Sequence, residues 1–305
     1  MDAQAKLGLP PVEEQSPEQL RAGLAQTVAQ LPPVVESGLA VSDRKIQSPV
    51  DDIPLRIYQP SGKGPFPSVV YFHGGGWVTG TLDSHDRFCR ALATQSEAVV
   101  VAVDYRLAPE HRFPAAPEDC FAATEWTIAH AAEWKSDARR VLVAGDSAGG
   151  NLATVVALMR RDQGSAPALA GQILLWPATG PYDPPTKSYL ENSGGYGLTR
   201  KGMIHFWNLY LNDPAEMTNP YAAPLNSSDL TGLPSALVIT AEHDVLRDEG
   251  DRYAQRLAAA HVPVMHECVA GVNHGFAVWA DADPSLAQAQ ETRGKIAAWI
   301  KEGPN

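Results

Sequence analysis

Cysteine is scarce in this chain, with only Cys89, Cys120 and Cys268 among 305 residues, all far apart. With no C-x-x-C and no His/Cys spacing able to hold zinc, a structural metal is excluded and the three read as buried thiols. Also missing are an apolar run of the ~18 residues a membrane span needs and an apolar leader, since Asp2 and Lys6 stand behind Met1. These absences point to a soluble protein of a reducing, cytoplasmic setting. Basic charge is short too: 24 Lys and Arg face 35 Asp and Glu, a formal net charge of −11 with no basic cluster. That balance excludes nucleic acid and anionic membranes as partners and admits a neutral or cationic small molecule. Phosphate-cradling patterns are lacking as well, both G-x-x-x-x-G-K-[ST] and a G-x-G-x-x-G that opens a helix.

What is present is globular in texture, 44% hydrophobic and 19% charged. The length suits one large α/β core with a small appendage. From Ser16 to Leu31 the spacing predicts an amphipathic helix, with Ser16 as cap, Pro17 at its first position and Pro32-Pro33 as its stop. Leu20, Leu24, Thr27, Val28 and Leu31 share one side, which must lie over something built later. Lys45–Val50 and Leu55–Tyr58, parted by Asp51-Asp52, predict an edge hairpin.

Beyond Pro67 apolar runs alternate with helical patterns. Ser68–Phe72, Ala98–Val103, Val141–Ala144, Gln172–Trp176, Ala236–Thr240 and Val264–Val269 read as strands, with helices near 84–96, 117–133, 149–163, 248–260 and 285–301. That rhythm predicts a mostly parallel sheet with helices on both faces. Between Pro177 and Pro234 it breaks, and a long stretch containing Tyr182, Tyr196, Phe206, Trp207 and Tyr210 is expected to form a lid over an apolar ligand.

The working residues of an open α/β sheet gather at the carboxyl ends of its strands. Ser68–Phe72 is followed by His73-Gly-Gly-Gly-Trp77, Val141–Ala144 by Gly145-Asp-Ser-Ala-Gly149, Ala236–Thr240 by Asp244, and Val264–Val269 by His274. The second of these has the form of a nucleophile elbow, a sharp strand-to-helix turn presenting Ser147. A serine needs a base to take its proton and a carboxylate to fix the base's tautomer, and His274 and Asp244 supply them. Asp248 competes for the acid role but reads as a helix cap, with Asp251 at its third position. His243, His261 and His266 compete for the base but fall on a strand end, a link and a strand. The N–H groups of Gly74, Gly75, Gly76 and Ala148 are expected to form an oxyanion hole. Trp77, Asp146, Tyr182, Phe206 and Phe276 are expected around the substrate.

These motifs, with Asp104-Tyr-Arg-Leu-Ala-Pro-Glu-His-Arg-Phe-Pro114, Asp244-Val-Leu-Arg-Asp-Glu249 and Asn273-His-Gly-Phe276, resemble those of the hormone-sensitive-lipase-like serine esterases, in their GDSAG form. The resemblance implies an α/β-hydrolase fold and a carboxylesterase for short- to medium-chain acyl esters, working without a cofactor and often as a homodimer. It also implies a helical cap in residues 1–42 and a second cap segment at about 181–217 of a catalytic domain 43–305. An amide hydrolase, similar to arylacetamide deacetylase or a formamidase, remains open on the same triad. A non-catalytic ligand receptor is the third reading, which the retained His274 opposes. Asp104, Arg106, Glu110 and Arg112 are expected to form one buried ionic network near the elbow.

Overall fold

Valine-rich runs dictate the centre of the molecule, because a β-branched strand buried on both sides needs cover on each. The computed structural model describes residues 10–32, 34, 38–47, 52–166 and 168–303. Strands β1 (Ala40–Ile46), β2 (Ile53–Gln59), β3 (Phe66–Phe72), β4 (Val99–Val103), β5 (Ser136–Asp146), β6 (Gly171–Leu175), β7 (Ala236–His243) and β8 (Val264–Asn273) form one sheet in the order β1-β2-β4-β3-β5-β6-β7-β8. Strand β2 runs against β1 and β4, and all other pairings are parallel. The pleat divides the core. Val70, Phe72, Val141 and Val143 face one side, and Val69, Tyr71, Leu142 and Ala144 the other.

Eight α-helices are described: α1 (Pro17–Ala29), α2 (Leu82–Ser96), α3 (Ala115–His130), α4 (Ala148–Asp162), α5 (Lys187–Glu191), α6 (Arg200–Tyr210), α7 (Arg247–Ala259) and α8 (Ala287–Glu302). Helices α2 and α8 cover one face; α3, α4 and α7 cover the other. Helices α5 and α6 belong to the long connection between β6 and β7. The edge hairpin forms with β1 beginning earlier than expected, at Ala40. Its turn, with Asp51, lies outside the described residues, as does Pro33.

Helix α1 begins as expected, since Ser16 Oγ accepts the Gln19 N–H while Gln19 Oε1 accepts the Ser16 N–H at 2.8 Å. Its apolar stripe is less buried than expected: Leu20 alone is fully covered, and Leu24, Thr27, Val28 and Leu31 are half-buried. The physical reason is that a cavity, not packed core, lies beneath. Polar contacts fasten the helix. Arg21 donates to the carbonyls of Val78 and Ala108, each at 2.9 Å, and to both oxygens of Glu110 at 2.7 and 2.6 Å.

Three expectations are corrected here. Cys268 is exposed, because it sits on the edge strand β8. Asp248 does not cap α7, whose first turn has no side-chain cap; its carboxylate accepts the Ser188 N–H at 2.8 Å, while Asp251 accepts from Thr240 Oγ1 at 2.8 Å. The residues of Asp104–Pro114 do not form one ionic network, because the loop turns them toward different elements. Arg106 forks onto Asp119, Glu110 meets Arg21, and Arg112 donates to the Asn208 carbonyl at 2.9 Å.

The Arg21–Glu110 pair yields a pH prediction. The Arg21 guanidinium holds the Glu110 carboxyl down to about 2, against an ordinary value of 4.5. A carboxyl whose pKa is lower folded than unfolded stabilises above its unfolded value and loses that contribution as pH falls through the folded one. Lowering the pH from about 4.5 toward about 2 is therefore expected to loosen α1. Glu110→Gln should reduce the pH dependence of its amide exchange across that window once intrinsic rates are corrected, leaving the part due to Glu18 in the same helix. The effect is modest because the Glu110 side chain is 48% exposed.

Candidate active site

Ser147 follows β5 directly, and its backbone takes φ 57° and ψ −119°, a strained conformation for a residue with a side chain. Hydrogen bonds hold it there. Its N–H donates to the Leu175 carbonyl at 2.9 Å, and its own carbonyl accepts from Asn151 at 3.1 Å and Ala178 at 3.2 Å. The turn closes so tightly that a Cβ on Gly149 would overlap the Phe72 carbonyl, so α4 can leave the elbow only across a glycine.

Asp244 is the residue after β7, and His274 the residue after β8. The Nδ1 of His274 lies 2.7 Å from Oδ2 of the fully buried Asp244. The other carboxylate oxygen accepts the Leu246 N–H at 2.9 Å, and the Asp244 carbonyl accepts from Asn192 Nδ2 at 3.0 Å. With Nδ1–H donating to the carboxylate, Nε2 is left able to accept a proton. Ser147 and His274 line one cavity of about 190 Å³. No direct hydrogen bond joins them among the described residues, and such contacts commonly tighten when substrate binds. The competing histidines lie elsewhere. His243 stacks on Tyr196 at 4.6 Å, His266 contacts Asp251 at 2.9 Å, and His261 stands in the link after α7.

The glycine loop after β3 lines the same cavity. Gly74 departs from expectation: its N–H donates to Asp146 Oδ1 at 2.9 Å and so is not available to an oxyanion. No acceptor for the N–H of Gly75 or Gly76 is found among the described residues. Gly76 has φ 61°, and a Cβ there would run into the Phe206 ring. The Ala148 N–H, at the first position of α4, lies outside the helix's own ladder. His73, which opens the loop, is part of the scaffold. Burial, and then the neighbouring His85, push its pKa down to about 3, and its neutral ring stacks on Tyr105 at 4.3 Å.

Of the five residues expected around the substrate, Phe206 lines the cavity that holds Ser147 and His274. Trp77 is fully buried against Tyr210, with ring centroids 4.4 Å apart, because the chain turns its side chain away from the opening. Phe276 packs on Trp176 at 5.0 Å, and Tyr182 packs against the core. Asp146 borders the cavity, but its Oδ1 takes the Tyr71 hydroxyl at 2.6 Å and the Gly74 N–H. Although burial raises its pKa, His85 and the Tyr71 hydrogen bond outweigh that effect and leave the carboxyl below its ordinary value. Leu24, Thr79, His85, Leu198, Met203 and Trp279 line the cavity without having been anticipated. The available signal was proximity to the motifs: Thr79 and His85 closely follow the glycine loop, and Trp279 comes shortly after His274. An apolar cavity of about 250 Å³ adjoins the first under α1, sharing Leu24, Thr79, Phe206 and Trp279.

Gly149→Ala is expected to destabilise the fold by about 1–3 kcal/mol through overpacking against β3. Gly294→Ala, where a Cβ meets open space in α8, is the matched control and should be neutral or stabilising by about 0.5–1 kcal/mol. Urea unfolding midpoints of the two variants check this.

Comparison with known proteins accords with this arrangement. Residues 69–278 match a family described as having the alpha/beta hydrolase fold. Esterase LipI of Mycobacterium tuberculosis is 41% identical over 268 residues, 86% of this chain and 82% of LipI. Carboxylesterase NlhH of the same species is 41% identical over 277 residues, 89% of this chain and 86% of NlhH. A thermostable esterase from Pseudomonas putida superposes with a TM-score of 0.92 at 38% identity, covering 99% of this chain and 94% of that one.

Proposed function

The chain belongs to the α/β-hydrolase fold family, among its hormone-sensitive-lipase-like members, and on that premise we propose that it is a carboxylesterase acting on short- to medium-chain acyl esters. The observation that carries this reading is the 2.7 Å contact between His274 and a buried Asp244, on the wall of the cavity that also receives Ser147 from its strained elbow. Ser147 Oγ attacks the acyl carbon while His274 Nε2 takes its proton, and Asp244 stabilises the imidazolium. The oxyanion accepts hydrogen bonds from Ala148 and from Gly75 or Gly76. Collapse expels the alcohol oxygen, which receives the proton from His274. Water, deprotonated by the same nitrogen, then attacks the acyl-serine, and the returned proton restores Ser147.

Residues 1–42 and about 181–217 act in this reading as a two-piece cap over a catalytic domain 43–305. Leu24 on α1 and Leu198, Met203 and Phe206 in or beside α6, all on the cavity wall, support that division. The small volume of the catalytic cavity favours short acyl groups. Among the described residues no helix is long and apolar enough to cross a membrane. A reducing cytoplasmic setting is supported by the three free thiols, and a homodimer by the family resemblance alone.

Ser147→Ala should lower hydrolysis of p-nitrophenyl butyrate by several orders of magnitude. Retention of most of the activity would overturn the assignment. Assaying an aryl ester beside its matching anilide separates ester from amide hydrolysis, and faster turnover of the ester is expected. Removing the residues up to about 33 should change the preference among acyl lengths, whereas unchanged kinetics would make α1 a mere outer layer.

A further inference from the structure

Beside the His274–Asp244 pair lies a second histidine–carboxylate contact that the mechanism does not use. Asp146 precedes the nucleophile, and its Oδ1 accepts from the Tyr71 hydroxyl at 2.6 Å and the Gly74 N–H at 2.9 Å, while His85 Nε2 lies 3.4 Å from the same oxygen, near enough for electrostatic contact but without hydrogen-bond geometry. Tyr71 comes from β3, Gly74 from the loop that carries the oxyanion donors, and His85 from the first turn of α2. The His85 and Asp146 side chains are only 4% and 6% exposed. A carboxylate that deep requires a compensating partner.

His85 is itself fixed in place. Its Nδ1 lies 2.8 Å from Ser84 Oγ, which belongs to the capping box of α2 with Thr81. Its ring meets Trp279 edge-on at 5.6 Å and His73 at 5.5 Å. The neutral form with the proton on Nδ1 would aim a lone pair from Nε2 at the carboxylate oxygen. The forms favourable to Asp146 carry a proton on Nε2; the single hydrogen of Ser84 Oγ goes either to Nδ1 or to the Thr81 carbonyl at 2.8 Å, and in the second case Nδ1 donates to the Ser84 oxygen.

We propose that His85 is a positioning residue, which through Asp146 and the Gly74 N–H locks the oxyanion loop to the nucleophile elbow. The proposal rests on the esterase reading for its kinetic consequence but not for its structural one. Without His85 the buried carboxylate loses the imidazole that stands 3.4 Å from its Oδ1. Its hold on Gly74 weakens, and the N–H groups of Gly75 and Gly76 drift relative to Ser147. His85 also stands on the cavity wall, so its removal touches substrate binding, but the displacement of the oxyanion donors falls on the transition state, where they act.

The test compares His85→Leu, which removes the donor, with His85→Gln, whose amide can reach Asp146. Amide exchange is followed by mass spectrometry in the peptide covering Gly74–Thr79, with kcat and KM for p-nitrophenyl butyrate measured in parallel. His85→Leu should speed exchange in that peptide while β3 and α4 stay protected. It should also lower kcat on the order of tenfold, a larger change than the one in KM. His85→Gln should restore most of both. If His85→Leu does not fold, His85→Asn, too short to reach Asp146, replaces it with the same expectation. A loop as protected as in the wild type with undiminished kcat overturns the proposal, as does a kcat loss accompanied by uniformly faster exchange and equal loss in His85→Gln. If the wild-type protein hydrolyses no ester, the esterase reading falls, and the exchange comparison still decides whether the lock exists.

Discussion

The close approach of β3, β5 and α4 at the elbow is the constraint on which the rest depends. Ser147 can hold a positive φ only because Leu175, Asn151 and Ala178 bind its backbone and because Gly149 lets α4 pass the end of β3. That same contact brings the glycine loop, which continues β3, beside the nucleophile. Asp146 then ties the two together through Gly74. The geometry of nucleophile and oxyanion donors is thus set by backbone packing within the most buried part of the sheet, where fluctuations are costly.

Much of this was legible in the sequence because the sheet converts linear order into position. Apolar runs end where strands end, and parallel strands end on the same edge, so Ser147, Asp244, His274 and the glycine loop could be placed together from their offsets alone. What the offsets do not carry is the direction of each side chain. Trp77 and Phe276 sit beside functional residues in sequence, yet both turn into packed aromatic clusters. Gly74 stands in the glycine loop, but its N–H faces Asp146. The Asp104–Pro114 charges failed as one network for the same reason, with Arg106, Glu110 and Arg112 finding separate partners in Asp119, Arg21 and the Asn208 carbonyl.

His85 and Leu24 show the complementary omission. Each reaches the cavity from an element whose role looks structural, the first turn of α2 and the middle of α1. In α1 the amphipathic pattern was readable, but the half-buried state of its stripe was not. Periodicity tells which side faces inward and not whether packed atoms or an opening lie there.

The manner in which α1 is attached has a consequence for how such a protein can change over time. Its anchorage runs largely through one arginine reaching carbonyls and a half-exposed glutamate, with Leu20 as its single fully buried residue. Substitutions along Leu24, Thr27 and Leu31 can therefore reshape the apolar cavity with little disturbance to the sheet. Selectivity and folding are adjustable separately, so lineages can acquire new ester preferences while the reacting groups and the core beneath them stay as they are.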